Sequence, residues 1–260
     1  MAFIGAILGD IAGSQYEFIK NREPQKCELF SNRCMFTDDT VMTLAVKNAL
    51  DSSRDFAECM RELGRKYPRA GYGSAFVHWL RDENMSAYNS WGNGAAMRVS
   101  YVADFYDDLE DVKRVARATA EVTHNHPEGV KGAETTAVCI WMAKHGCSKQ
   151  NIFDYVLKQY PVGEYKYTIE MPIEYLQKNY RWDVSCQGSV PVAMRAFYES
   201  EDFESFMRLL FSLDCDMDTL GAIGGAVVEE FYGGFGFEAN PVLERYLDEQ
   251  LKEIVYRKEK

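Results

Sequence analysis

Thr37-Asp38-Asp39-Thr40-Val41-Met42-Thr43-Leu44-Ala45-Val46-Lys47-Asn48-Ala49-Leu50 sets two adjacent carboxylates at the head of a run whose apolar residues recur every three or four positions. That spacing is one face of a helix, and Thr37 is a natural N-cap for it. The same periodicity returns in 54–66, 108–120, 132–145, 189–200 and 202–213, whereas clean alternation at period two is hard to find. These windows predict an all-α fold of about a dozen helices. Seven prolines, no low-complexity linker and no internal repeat predict that residues 1–260 form a single domain. Small residues within Gly132–Ala143 and Gly221–Val228 would let helices approach closely. The helical pattern breaks at Gly9–Phe36, Arg69–Gly73, Ala87–Gly94, His124–Gly129, Pro161–Tyr167, Arg181–Gly188 and Leu213–Thr219. In an all-α protein such loops, and the helix starts behind them, build the binding sites.

Composition narrows the function classes. A chain of 260 residues with 47% hydrophobic and 13% aromatic content buries a sizeable core. Lysine and arginine total 29 against 40 aspartates and glutamates, a net charge of −11. Such a chain repels a bare phosphate backbone, which argues against general nucleic-acid binding. The seven cysteines (27, 34, 59, 139, 147, 186 and 215) are scattered and form no CxxC pair, so free thiols are expected rather than a zinc knuckle or a disulfide framework. The opening MAFIGAILGDIAGS lacks a basic n-region and carries Asp10, unlike a signal peptide. No apolar stretch of about 18 residues offers a membrane span. The expected location is the cytoplasm.

Two acidic helix starts carry the chemistry. At Thr37–Asp39 one carboxylate suffices for the helix dipole; the second adds repulsion that a cation would remove. Asp214-Cys215-Asp216-Met217-Asp218-Thr219 precedes another helix, LGAIGGAVVEEFYG, and no lysine or arginine lies between Arg208 and Arg245 to neutralise it. On a regular helix, side chains at i and i+2 diverge by about 200°, so Asp216 and Asp218 meet on one ion only at a helix tip. An EF-hand loop begun at Asp214 fails, because Thr219 and Gly225 fall where the turn glycine and the bidentate glutamate belong. An aspartyl-phosphatase reading of LLFSLDCD is the runner-up, though Glu204–Leu213 reads better as a helix. The ligands on offer are all oxygen, which selects Mg²⁺, Mn²⁺ or Ca²⁺, and two groups suggest two ions about 3.5–4 Å apart.

Other segments read more plainly on their own. Asp10 reads as the end of the first apolar segment, followed by a solvated loop that carries Glu17. Trp91-Gly92-Asn93-Gly94 is a tight turn at the start of a helix over Ala95–Ala103, whose backbone amides suit a diphosphate. His124 and His126 fit hydrogen-bonding roles better than ligation. Trp91 and Tyr72 serve stacking or core equally well, and Tyr101 fits the core.

Taken together, GDIAGSQYE (9–17), FTDDT (36–40), GYGSAF (71–76), WGNGAAMRV (91–99), THNHPEGVKGAE (123–134), VSCQGSVPVA (184–193) and DMDTLGAIGGA (216–226) resemble, in order, the motifs of the ADP-ribosylglycohydrolase family. The resemblance implies an orthogonal multi-helix bundle with a dinuclear Mg²⁺ or Mn²⁺ centre in a cleft. It implies Thr37, Asp38 and Asp39 as one ligand group and Asp216, Asp218 and Thr219 as the other. Glu17 corresponds to the family's mobile-loop glutamate. Ser90, Trp91, Gly92 and Asn93 resemble the diphosphate loop, and Gly71–Ser74, with Gly73 among them, and His124 line up with segments facing ribose and phosphates. One departure stands out: Asp214-Cys215 replaces the usual Gly-Gly pair.

The expected activity is metal-dependent cleavage of the bond between ADP-ribose and an acceptor, a protein side chain or a small molecule. The two ions would act as template and nucleophile generator, and Glu17, with Asp38 or Asp216 as alternates, would shuttle the proton. The rivals are a dinuclear phosphohydrolase and a non-catalytic ADP-ribose-binding protein of the same fold. Acceptor, metal preference, oligomeric state and any motif in 160–182 stay open at this level.

Overall fold

The computed structural model describes residues 1–19 and 22–257. Among them the chain forms α1 (Ala2–Ser14), α2 (Asp38–Ser52), α3 (Phe56–Lys66), α4 (Ser74–Arg81), α5 (Gly94–Met97), α6 (Ser100–Phe105), α7 (Leu109–Glu121) and α8 (Pro127–Lys144). It continues with α9 (Lys149–Gln159), α10 (Ile173–Asn179), α11 (Cys186–Glu199), α12 (Phe203–Phe211), α13 (Met217–Tyr232), α14 (Asn240–Tyr246) and α15 (Glu249–Val255). The only β-type pairings among the described residues are isolated bridges, Gly92 with Ser185 and Val162 with Tyr165. The fold is all-α, as the periodicity predicts.

The periodic windows appear as α2, α3, α7, α8, α11 and α12, each shifted by a few residues at most. Local chemistry fixes their starts: Asp55, Asp108, Ser148 and Asp202 accept backbone N–H groups as N-caps of α3, α7, α9 and α12. Two expectations fail. The expected break at Gly9 is absent, because α1 runs on to Ser14. The helix expected over Ala95–Ala103 is split at Arg98–Val99 into α5 and α6.

α1 and α13 cross at the centre of the core, and every residue of α1 from Ala2 to Gly13 is buried. Their backbones touch. A Cβ added at Gly9 would lie 2.0 Å from the Gly221 carbonyl oxygen, and one at Gly5 would lie 2.2 Å from that of Gly225. Glycine at both ends of each contact therefore sets the helix separation, and side chains would force the pair apart. The N-terminal turn of α1 is held by carboxylates: Asp104 accepts from the Ala2 and Phe3 amides (2.8 and 3.1 Å), and Glu229 accepts from Gly5 (2.6 Å). α2 packs beside this pair with Tyr101 in the core, its hydroxyl donating to Asp51 at 2.6 Å. The closeness of α1 and α13 brings the start of α2 against the start of α13.

Candidate functional site

At the head of α2, Asp38 and Asp39 occupy the first turn and Thr37 caps it, accepting from the Asp39 amide at 3.3 Å. The anchor comes from α1. Asp10 is fully buried and accepts from the Thr37 amide (2.9 Å), the Thr37 hydroxyl (2.8 Å), the Thr40 amide (3.1 Å) and the Thr40 hydroxyl. The expectation of a solvated loop at Asp10 is therefore wrong. A carboxylate inside an apolar helix must be satisfied, and here the free donors of another helix's first turn satisfy it.

At the head of α13, Asp216 is the N-cap residue and Asp218 lies in the first turn. Asp216 accepts from the Asn93 side-chain amide at 2.7 Å, and the same amide group donates to Ser189 Oγ at 3.0 Å. Thr219 Oγ1 and Thr37 Oγ1 each lie 3.2 Å from Asp39 Oδ2, so the two acidic helix starts meet on one carboxylate. Carboxylate oxygens of Asp10, Asp39 and Asp218 lie within 4.8 Å of one another, as do those of Glu17, Asp216 and Asp218. Asp218 is common to both groups. Because Asp10 already accepts from Thr37 and Thr40, it is better suited to hold α2 in place than to bind an ion.

The electrostatics of this cluster call for a cation. Burial, with the charge of Asp10 beside it, pushes the Asp38 carboxyl up to about 8. Burial and the neighbouring carboxylates push Asp39 and Asp218 well above the ordinary range, and burial raises Asp216. Asp39 Oδ1 is buried with no hydrogen-bond partner. An orphaned carboxylate oxygen among oxygen-only donors, with no lysine lining the cavity, fits hard divalent cations.

These groups form the floor of a cavity of about 490 Å³, a size suited to a small-molecule ligand. Gly71, Gly73 and Ser74 line one side. Gly71 has φ of +113°, and a Cβ there would stand 3.0 Å from Asp38 Oδ1, so glycine is required both for the turn and for the approach. Ser90, Gly92, Asn93 and Gly94 line the other side with Arg98 and His124. Two amides of this loop are engaged: Gly92 donates to Ser90 Oγ (3.1 Å) and Asn93 to the Val184 carbonyl (2.8 Å). With only four residues, α5 also offers little dipole. Trp91 is half exposed, packs on His126 (centroids 5.3 Å apart) and does not line the cavity, so it stands apart from its loop neighbours.

Glu17 sits on the rim, and burial together with the charges of Asp216 and Asp10 pushes it up to about 7. Its neighbours pin it from both sides. Tyr16 packs on Phe211 (4.8 Å) and donates to the Glu28 carbonyl at 3.0 Å. Phe18, 79% exposed, stacks on Trp182 with centroids 5.5 Å apart. Trp182 lies at the end of 160–182, the stretch without a readable motif, and lines the cavity. Asp214, in the Asp-Cys departure, does not line it.

The structure thus brings Glu17, Thr37, Asp38, Asp39, Gly73, Ser74, Ser90, Gly92, Asn93, His124, Asp216, Asp218 and Thr219 to one cavity. Sequence reasoning missed the role of Asp10, whose signal was its lone charge within GAILGDIAG, and Arg98, which had no local signal. The seven thiols are free, as expected. No described helix is long and apolar enough to cross a membrane.

An all-α chain with carboxylates from both ends of its sequence on the floor of one cavity defines the structural class. Residues 1–237 match the ADP-ribosylglycohydrolase family, and the chain belongs to it. The chain is 30% identical to the ADP-ribosylhydrolase ARH3 of Gallus gallus over 179 residues, which is 55% of this chain and 49% of that protein. It is 25% identical to the ADP-ribosylhydrolase ARH3 of Homo sapiens over 304 aligned positions, covering 88% of this chain and 84% of that protein. A solved ADP-ribosylglycohydrolase-related protein complex superposes with a TM-score of 0.74 at 24% identity, over 97% of this chain and 92% of that one, a likeness of fold.

Proposed function

We propose that residues 1–260 act as one domain that hydrolyses the glycosidic bond between ADP-ribose and an acceptor, with two Mg²⁺ or Mn²⁺ ions. The observation that carries this reading is the meeting of Thr37–Asp39 and Asp216–Thr219 on the Asp39 carboxylate, where both threonines reach Oδ2 and Oδ1 is left without a partner. Family membership and the two ARH3 relatives support the ADP-ribose part.

Thr37, Asp38, Asp39, Asp216, Asp218 and Thr219 would hold the cations. Bound there, divalent ions supply Lewis-acid polarisation and a template for vicinal ribose hydroxyls. Asn93 keeps Asp216 turned toward the floor, and Asp10 keeps Thr37 at the head of α2. Ser90, Gly92, Asn93 and His124 form the wall that takes the diphosphate, while Gly73 and Ser74 border the ribose. Burial and the charges of Asp216 and Asp10 raise Glu17 to about 7 in the cation-free site, a group able to give or take a proton near neutral pH, which suits transfer at the scissile bond as an oxocarbenium-like state develops. Asp38 and Asp216 are the alternates for that transfer.

The test is product analysis on ADP-ribosylated arginine, serine and O-acetyl substrates with Mg²⁺, Mn²⁺ or EDTA. Free ADP-ribose formed with a cation and lost with EDTA is expected. Phosphate as the product would make the protein a phosphohydrolase. Binding of ADP-ribose without turnover of any substrate would make it a binding protein.

A further inference from the structure

Arg98 is 1% exposed, lies against the cavity, and has no carboxylate partner among the described residues; the Tyr88 hydroxyl and the Cys186 thiol beside it are held neutral by burial. Its Nη2 donates to the Thr119 carbonyl (2.6 Å) and to Thr123 Oγ1 (3.0 Å), and its Nε is buried without a partner. Thr123 Oγ1 lies 2.7 Å from His124 Nδ1. The direction of that last bond follows from counting protons. A guanidinium only donates, so Thr123 Oγ1 accepts from Arg98 and has one hydrogen of its own to place. Thr123 is fully buried, and His124 Nδ1 is the acceptor within reach. Nδ1 is therefore unprotonated and the ring hydrogen sits on Nε2. Burial and the positive charge of Arg98 hold the imidazole neutral, well below its ordinary range. Nε2 faces the glycine loop: a Cβ on Gly92 or Gly94 would come within 3.4 or 3.3 Å of it, and it has no acceptor among the described residues.

We propose that Arg98 and Thr123 lock His124 as the neutral Nε2–H tautomer, making it a fixed hydrogen-bond donor to a diphosphate seated against the Ser90–Gly94 loop. Two of the loop's own amides, Gly92 and Asn93, are spent within the protein, and α5 is too short to help. The side-chain relay adds a fixed donor beside the amides that stay free, while the Arg98 charge makes the wall favourable to an anion. Arg98 and Thr123 are positioning residues that act through His124. The inference rests on the proposed function for the identity of the ligand and not for the tautomer.

Nitrogen-15 NMR of the full chain reads the tautomer directly. The wild type is expected to show unprotonated Nδ1 and protonated Nε2 at His124, and Thr123→Val to lose that state, while Thr123→Ser keeps it. Calorimetry with ADP-ribose is expected to show about tenfold weaker binding for Thr123→Val, the worth of one hydrogen bond to a charged group, and wild-type binding for Thr123→Ser. A protonated Nδ1 in the wild type, or unchanged ADP-ribose affinity in a folded Thr123→Val, overturns the proposal. If the wild type binds inorganic pyrophosphate with a shift at His124 Nε2 and ignores ADP-ribose, the donor stands and the proposed function falls. If neither probe binds, the donor falls too.

Discussion

Removing divalent cations should make the protein's stability fall as pH rises, opposite to the usual behaviour of ion-paired carboxylates. Burial pushes Asp10 from 3.8 up to about 6, and burial with the Asp10 charge pushes Asp38 up to about 8. A carboxyl raised in the folded state binds more protons there than in the unfolded chain, so unfolding becomes easier as pH climbs from the unfolded value to the folded one. For Asp10 alone, about two units at roughly 1.4 kcal/mol each come to about 3 kcal/mol. Asp38, Asp39 and Asp218 add to this in the same direction, against a total stability of only about 5–15 kcal/mol for most domains. Urea unfolding of EDTA-treated protein at pH 5 and pH 8, followed by circular dichroism, measures the difference. The expected result is a loss of at least about 3 kcal/mol at pH 8, recovered on adding Mg²⁺, with a smaller Mg²⁺ effect at pH 5. Asp38→Asn with Asp39→Asn should flatten both dependences. Equal stability at the two pH values without metal would refute the account of a crowded, uncompensated floor.

Gly9→Ala should destabilise the protein by about 3 kcal/mol or more, the upper range of overpacking, because its Cβ would sit 2.0 Å from a backbone oxygen that cannot rotate away; a chemical denaturation midpoint at or above wild type would contradict it, since alanine is the better helix former. Asn93→Ala should weaken Mg²⁺ affinity about 10- to 100-fold by freeing Asp216, read by calorimetry; an unchanged affinity would remove Asn93 from that role. Phe18→Ala should lower kcat up to about tenfold, the worth of an aromatic pair, with KM little altered, because the stack on Trp182 pins Glu17; a change in KM alone would assign Phe18 to substrate contact instead.

The helices were legible wherever a buried stripe alternated with a wet one, as in α3, α7 and α12. α1 had no such contrast: an all-buried helix reads simply as apolar, so its end was placed too early and Asp10 with it. The two acidic starts were legible from local repulsion without a nearby cation, and their spacing placed Asp216 and Asp218 at a helix tip, as found. What could not be read were partners distant in sequence, such as Asp10 with Thr37, Asn93 with Asp216 and Arg98 with Thr123. The WGNG stretch misled in one respect. It announces a tight turn but does not reveal that Ser90 and Val184 already occupy two of its amides, those of Gly92 and Asn93.

The contact between α1 and α13 also orders events during synthesis. α1 is synthesised well before the glycine face that it must bury against, which arrives only with residues 221–225. Until then an apolar helix has no permanent mate, and the acids on α2 have no counterparts across the cavity. A nascent chain halted before Asp216 therefore carries only the α2 half of the acidic floor and an apolar helix without the face it packs against. The cavity floor is completed in one step, when the segment from Asp216 onward closes over α1.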